Sequence, residues 1–239
     1  GLSGQSAAGV IATGNSTIFN AGNISGGTQA DAVDFSGGGN TLTLENGYSF
    51  GGNVVSSSGS TGGGDTLALG GDTDPSTAFD VSHIVSTAPT SYTATPQYYG
   101  FTNYQKTGNS TWALTGNTTA VTPWTISAGT LSVSSDNNLG AVSGGLLLDG
   151  GALQNTAAFT TARAIGLASG GGTFKADSDL TLAGVISGTG ALLKQGTGVL
   201  MLDGNSSAFA GTSTVQDGRL VIGSVAGNGA ALGGNVTVD

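Results

Sequence analysis

The chain contains no cysteine, one histidine (His83), one methionine (Met201) and four prolines. Without thiols there is no disulfide, no cysteine-ligated zinc and no cysteine nucleophile. One histidine cannot build a histidine-rich metal site. Charge is scarce too: only 8% of residues carry one, and five Lys plus Arg stand against fourteen Asp plus Glu, for a net charge of -9. That sign is wrong for nucleic acid. Residues 1–105 hold no Lys or Arg at all, only Asp31, Asp34, Glu45, Asp65, Asp72, Asp74 and Asp80, and such a surface repels anionic lipid as well. There is no run of eighteen apolar residues, so this segment is not expected to insert into a membrane as a helix.

What is abundant is glycine, 45 residues of 239. Collagen is excluded because glycine follows no strict Gly-X-Y period and proline is rare. A disordered linker is excluded by the 37% of hydrophobic residues, since disordered chains are poor in apolar side chains and rich in charge. The apolar residues recur as pairs two positions apart: Leu131/Val133, Leu146/Leu148, Ile165/Leu167, Leu180/Leu182, Leu200/Leu202, Leu220/Ile222 and Val236/Val238. A pair of that spacing is a short strand with one buried face. Glycine and asparagine between the pairs supply corners. No sustained helical periodicity is present.

Longer repeats reinforce the pattern. Gly37–Leu44 reads GGGNTLTL and Gly62–Leu69 reads GGGDTLAL. The stretch from Lys106 to Asn117 aligns with Lys194 to Asn205, and the match continues from Thr125–Val133 to Thr214–Ile222. Short strands in repeating units of this size predict an all-β fold with almost no α-helix. The expected form is a parallel β-helix (β-solenoid), in which stacked coils bury each Leu/Val/Ile pair.

The run from Leu182 to Asn205, completed by Gly211 to Ile222, resembles the passenger-associated repeat of bacterial autotransporters. Phe101 to Val133 looks like a more divergent copy. The resemblance implies a right-handed parallel β-helix (β-solenoid) from a secreted passenger displayed on a Gram-negative cell surface, a non-enzymatic stalk and display segment of an adhesin or an autoaggregation virulence factor. Its implied partners are a host-cell or neighbouring-cell surface component and the outer-membrane barrel of its own full-length chain. The expected organisation is one continuous β-helix over 1–239: N-terminal coils at 1–71, an irregular loop-rich stretch at 72–100 and repeat-bearing coils at 101–239. Residues 183–239 resemble the coils that assist folding during export. The start at Gly1 has no signal-peptide pattern, and the end stops inside a strand pattern, so the chain reads as a fragment lacking signal peptide and barrel.

Candidate sites are few. His83, with Asp80 or Asp74, could suggest a Ser-His-Asp grouping, but without a nucleophile elbow it reads as an exposed coil residue. Asp72 and Asp74, near Asp65, invite a calcium site, yet the tandem calcium repeat is missing. Lys106 and Lys194 hold equivalent repeat positions before glycine turns and read as structural. Phe101 and Tyr104 read as core residues leading to Trp112. Tyr92, Tyr98 and Tyr99 are the candidate binding residues: either an aromatic contact surface on a loop thrown out from the rod, or a cover for the β-helix edge. No catalytic residue, cofactor or metal is expected. The rivals are a carbohydrate-active β-helix enzyme and a calcium-dependent adhesive module.

Overall fold

The computed structural model describes residues 7–92, 95–206, 208–223 and 231–238. It is a parallel β-solenoid of about ten coils. Among the described residues the only helices are three single 3-10 turns: Thr61–Gly63, Val81–His83 and Asp136–Leu139.

Two sheets of eight strands run along most of the rod. One stacks Thr17–Asn20, Thr41–Leu44, Thr66–Leu69, Asn103–Lys106, Trp124–Ile126, Leu146–Leu148, Ile165–Leu167 and Ile186–Gly188. This is the second sheet. The third sheet begins at Phe79–Asp80 and runs through Thr111–Thr115, Thr130–Val133, Ala152–Asn155, Gly172–Ala176, Leu192–Gln195 and Ser213–Val215 to Val236–Val238. The remaining side, the first sheet, is split. Its lower part holds Val10–Ala12, Val33–Phe35, Val54–Ser56, Tyr98–Tyr99 and Ile84–Val85. Its upper part holds Phe159–Thr161, Leu180–Leu182, Val199–Leu202 and Arg219–Ile222.

The repeated Leu and Val pairs stack in register. Leu42 lies on Leu67 and Leu44 on Leu69, so the two GGG-x-TLxL segments occupy successive coils. Leu131 lies on Leu153, which lies on Phe174. These side chains are fully buried. Each coil therefore covers the apolar pair of the next, while backbone hydrogen bonds run between coils. The pattern weakens at the last two pairs: Ile222 is 41% exposed and Val238 78%, because no further coil covers them among the described residues.

The stretch after Leu69 departs from simple winding. It contributes strands of its own and is not a loop thrown clear of the rod. Phe79–Asp80 pairs with Leu114–Thr115. Ile84–Val85 then reaches forward and forms the last strand of the lower first sheet. The chain returns to lay Tyr98–Tyr99 between Val54–Ser56 and Ile84–Val85. Strand order is thus reversed within that sheet, with the later segment below the earlier one.

Candidate functional site

The two repeat lysines are the most conspicuous polar groups of the core. Both side chains are fully buried. Lys106 Nζ donates to the carbonyl oxygens of Thr107 at 2.6 Å, Gly108 at 2.9 Å and Ala128 at 3.3 Å. Lys194 Nζ donates to Gln195 at 2.8 Å, Gly196 at 2.6 Å and Asp217 at 3.0 Å. Each ammonium uses its three protons on two carbonyls of its own corner and one from the corner of the coil above. Burial lowers the Lys106 pKa to about 8, against the opposing pull of Asp74 and Asp72. Burial lowers Lys194 as well, opposed by Asp217 and Asp177. The lysines are inter-coil latches and offer no free amine to a substrate.

The acids around Asp65 are spent in a similar way. Asp65 is fully buried and accepts from the Asn40 backbone N–H and side-chain amide, both at 2.9 Å, and from the Ser56 and Ser58 hydroxyls, both at 2.7 Å. Asn40 and Asp65 are the matching positions of the GGG-x-TLxL pair, so one repeat caps the other. Asp72 accepts from the Asn109 backbone N–H and side-chain amide, and Asp74 accepts from the Thr111 N–H at 2.6 Å. Among the described residues no three His, Cys, Asp or Glu side chains gather as metal ligands. His83 Nε2 lies 4.0 Å from Asp80, and both side chains are partly exposed. Asp80 caps the 3-10 turn by accepting from the Ser82 N–H at 2.9 Å. The pair is a turn and not a hydrolytic constellation: Asp74 is engaged with Thr111 instead.

Arg163 carried no signal in the sequence beyond its rarity. It is fully buried. Its Nε donates to the Asp136 carboxylate at 2.8 Å, and the guanidinium also reaches the carbonyls of Ala141 and Gly144, each at 2.7 Å, and that of Gly140. These partners belong to the segment that follows the first repeat, where the first sheet lacks a strand. The guanidinium fork replaces backbone pairing there.

The three tyrosines do not form one surface. Tyr98 is 2% exposed and stacks against Phe79 at 5.3 Å and Phe50 at 6.1 Å between ring centroids. It points inward because alternate residues of a strand face opposite sides, and Tyr99 takes the outer side. The reading of Tyr98 as a contact residue is therefore corrected: it belongs to the core. Tyr99 is half-buried beside Ala120 and Val121 in a groove of about 250 Å³. Tyr92 is 43% exposed and lines a different groove of about 470 Å³ with Asp31 and Asp34. Phe101, Tyr104 and Trp112 are buried, as their sequence context predicts.

Comparison with known proteins follows the same lines. The passenger-associated-transport-repeat family matches residues 105–133 and 192–222, the two segments that carry the latches. A stretch of 127 residues, 52% of this chain, is 38% identical to the protein named adhesin BmaC autotransporter from Brucella suis biovar 1 (strain 1330). The match spans only 4% of that protein's length. No solved structure matches the chain. With two matched repeats built as latched coils of a parallel β-solenoid, this chain carries the repeat architecture of a bacterial autotransporter passenger domain.

Proposed function

We propose that the chain is a non-enzymatic stalk and display segment of a surface-exposed autotransporter passenger, and that the passenger is an adhesin. The observation that carries this reading is that both matched repeats are built into the stacked sheets, the first in the second and third sheets and the second in the third sheet and the upper first sheet. Stacked coils about 4.8 Å apart make a stiff rod that holds its surface away from a cell. The relative named as an adhesin supports the use of that rod in attachment. The buried lysines and arginine and the capped acids serve the coils themselves, which favours a scaffold over a catalyst. In the full-length protein an outer-membrane barrel would anchor the rod, and residues 183–239 would be the coils that help it fold during export.

The test is to display the full passenger on a non-adherent Gram-negative host, with and without residues 7–182, which leaves the coils assigned to export in place. Attachment to host cells and aggregation between neighbours are then measured. The reading expects deletion to reduce one of them several-fold while export continues. Unchanged attachment and aggregation with normal surface levels would discard it.

A further inference from the structure

The segment after Ile84–Val85 does not stand out in solvent. It folds down over the N-terminal coils, where the Asn53 side-chain amide donates to the Ser91 carbonyl at 3.1 Å. A groove of about 470 Å³ lies beneath it, within the size range of small-molecule sites, about 300–1,000 Å³. Gln29, Asp31 and Asp34 line it from the coils, and Thr90, Ser91 and Tyr92 from the covering segment.

Most acids elsewhere have side-chain partners, Glu45 and Asp217 excepted. Asp65, Asp72, Asp74, Asp80, Asp136, Asp149 and Asp179 all accept hydrogen bonds that hold corners or neighbouring strands. Among the described residues, neither the Asp31 nor the Asp34 side chain has a hydrogen-bond or ion-pair partner. Both are half-buried. Burial, with Asp31 close by, pushes the Asp34 carboxyl up, the direction expected of an acid without donors.

We infer that this groove binds a saccharide carrying no acidic group. Two carboxylates without donors accept hydrogen bonds from hydroxyls, the amide of Gln29 and the hydroxyls of Thr90 and Ser91 can donate or accept, and the exposed Tyr92 ring offers a face for stacking. No Lys or Arg exists before residue 106, so anionic sugars, sulfates and phosphates meet only repulsion. An extended peptide has no strand edge to join, because Val33–Phe35, which carries Asp34, is paired on both sides. Upstream, the carbonyls of Asp31 and Ala32 are already taken by Gly9 and Val10. The neighbouring groove of about 530 Å³ shares Pro89, Thr90 and Ser91 and adds Gln97, Asn117 and Thr118, all uncharged, so a longer chain of sugars could continue past the covering segment.

This inference rests on the display reading for its setting, and the test separates the two. The purified chain is applied, in the presence of a chelator, to immobilised oligosaccharides in three groups: neutral, amine-bearing, and sialylated or sulfated. Binding is expected to members of the first two groups and not to the third. Tyr92→Ala should weaken it about tenfold, the scale of one lost aromatic contact. Asp34→Asn should weaken it several-fold, Tyr99→Ala in the separate groove should leave it unchanged, and all three variants should keep the wild-type melting curve. The proposal is overturned if no neutral or amine-bearing oligosaccharide binds, if the acidic glycans bind preferentially, if calcium is needed, or if Tyr92→Ala and Asp34→Asn bind as wild type. Attachment lost on deleting the segment, with no glycan bound, overturns the groove alone. Glycan bound by the wild type and lost in Tyr92→Ala sustains the groove even where deletion leaves attachment intact, which would discard only the display reading.

Discussion

The two matched repeats hold the same lysine in the same cage, yet they sit on different sides of the rod. In the first, Lys106 ends a strand of the second sheet and the corner leads into the third, at Thr111–Thr115. In the second, Lys194 lies in the third sheet and the corner leads into the first, at Val199–Leu202. The motif has moved one side around the coil without changing its contacts. What repeats is therefore a local unit of strand, latched corner and strand, and not an address on the solenoid. The segments above the two units also differ. After the first, Asp136–Leu139 forms a 3-10 turn clasped by Arg163. After the second, residues 223–238 contain no Asp or Glu, so that copy has no matching carboxylate.

That difference is tested most severely at Arg163. Arg163→Met would leave the Asp136 carboxylate and the carbonyls of Gly140, Ala141 and Gly144 without their donor. Breaking a buried charge pair from one side costs about 3–5 kcal/mol. The expected result in urea unfolding is a loss of that order. A companion Asp136→Asn should cost less, since an amide keeps one acceptor oxygen. A loss below about 1 kcal/mol for Arg163→Met would mean that the clasp is ornamental and the gap in the first sheet is held by packing.

The latches come next. Lys106→Met and Lys194→Met each strip three carbonyls of their donor, with an expected cost of about 2–4 kcal/mol because the carbonyls are only partly buried. Similar losses at both sites would confirm that the unit is indifferent to its side of the rod. The pH response gives a second readout at Lys106. The Lys106 pKa lies at about 8 when folded, against the ordinary lysine value of 10.5, so between these values the unfolded chain binds more protons at this site. Stability from this group therefore rises with pH across that window and is lower below it. The difference in unfolding free energy between wild type and Lys106→Met, followed from pH 7 to 10.5, should grow with pH. A flat difference would mean that the cage holds the ammonium as well as water does.

Much of this was legible because stacking leaves a mark on local spacing. Leu131/Val133 and the pairs like it announce strands buried on one side, and the shared Lys-x-Gly announces a common corner. The reversed order of Ile84–Val85 and Tyr98–Tyr99 was not legible, since it depends on which free sheet edge each short strand reaches, and two-residue strands carry no periodicity. Tyr98 was misread for the same reason: with Tyr99 beside it, nothing local says which ring faces inward. Arg163 and the Asp31/Asp34 groove were missed because their partners lie a coil or more away along the chain. The rotation of the second repeat was equally hidden, since an alignment preserves local contacts and discards the side of the rod.

The smallest effect probes what the repeats demand of glycine. Gly129 and Gly218 sit at the corner above each latch with φ of 60° and 70°, a region that L side chains avoid. A Cβ at Gly129 would lie 2.5 Å from the Gly108 carbonyl oxygen and 2.7 Å from Lys106 Nζ. At Gly218 it would lie 2.4 Å from the Gly196 oxygen and 2.9 Å from Lys194 Nζ. Gly129→Ala and Gly218→Ala should each cost about 1–3 kcal/mol from crowding and backbone strain. The lysine's share is isolated by repeating each change in the matching Lys→Met background, since residues in contact couple. If part of the clash is with the ammonium, alanine costs less once the flexible methionine replaces it, and by the same margin at both corners. Equal costs with and without the lysine would assign glycine to the backbone corner alone. The lysine would then be a later addition to a turn that the solenoid requires anyway.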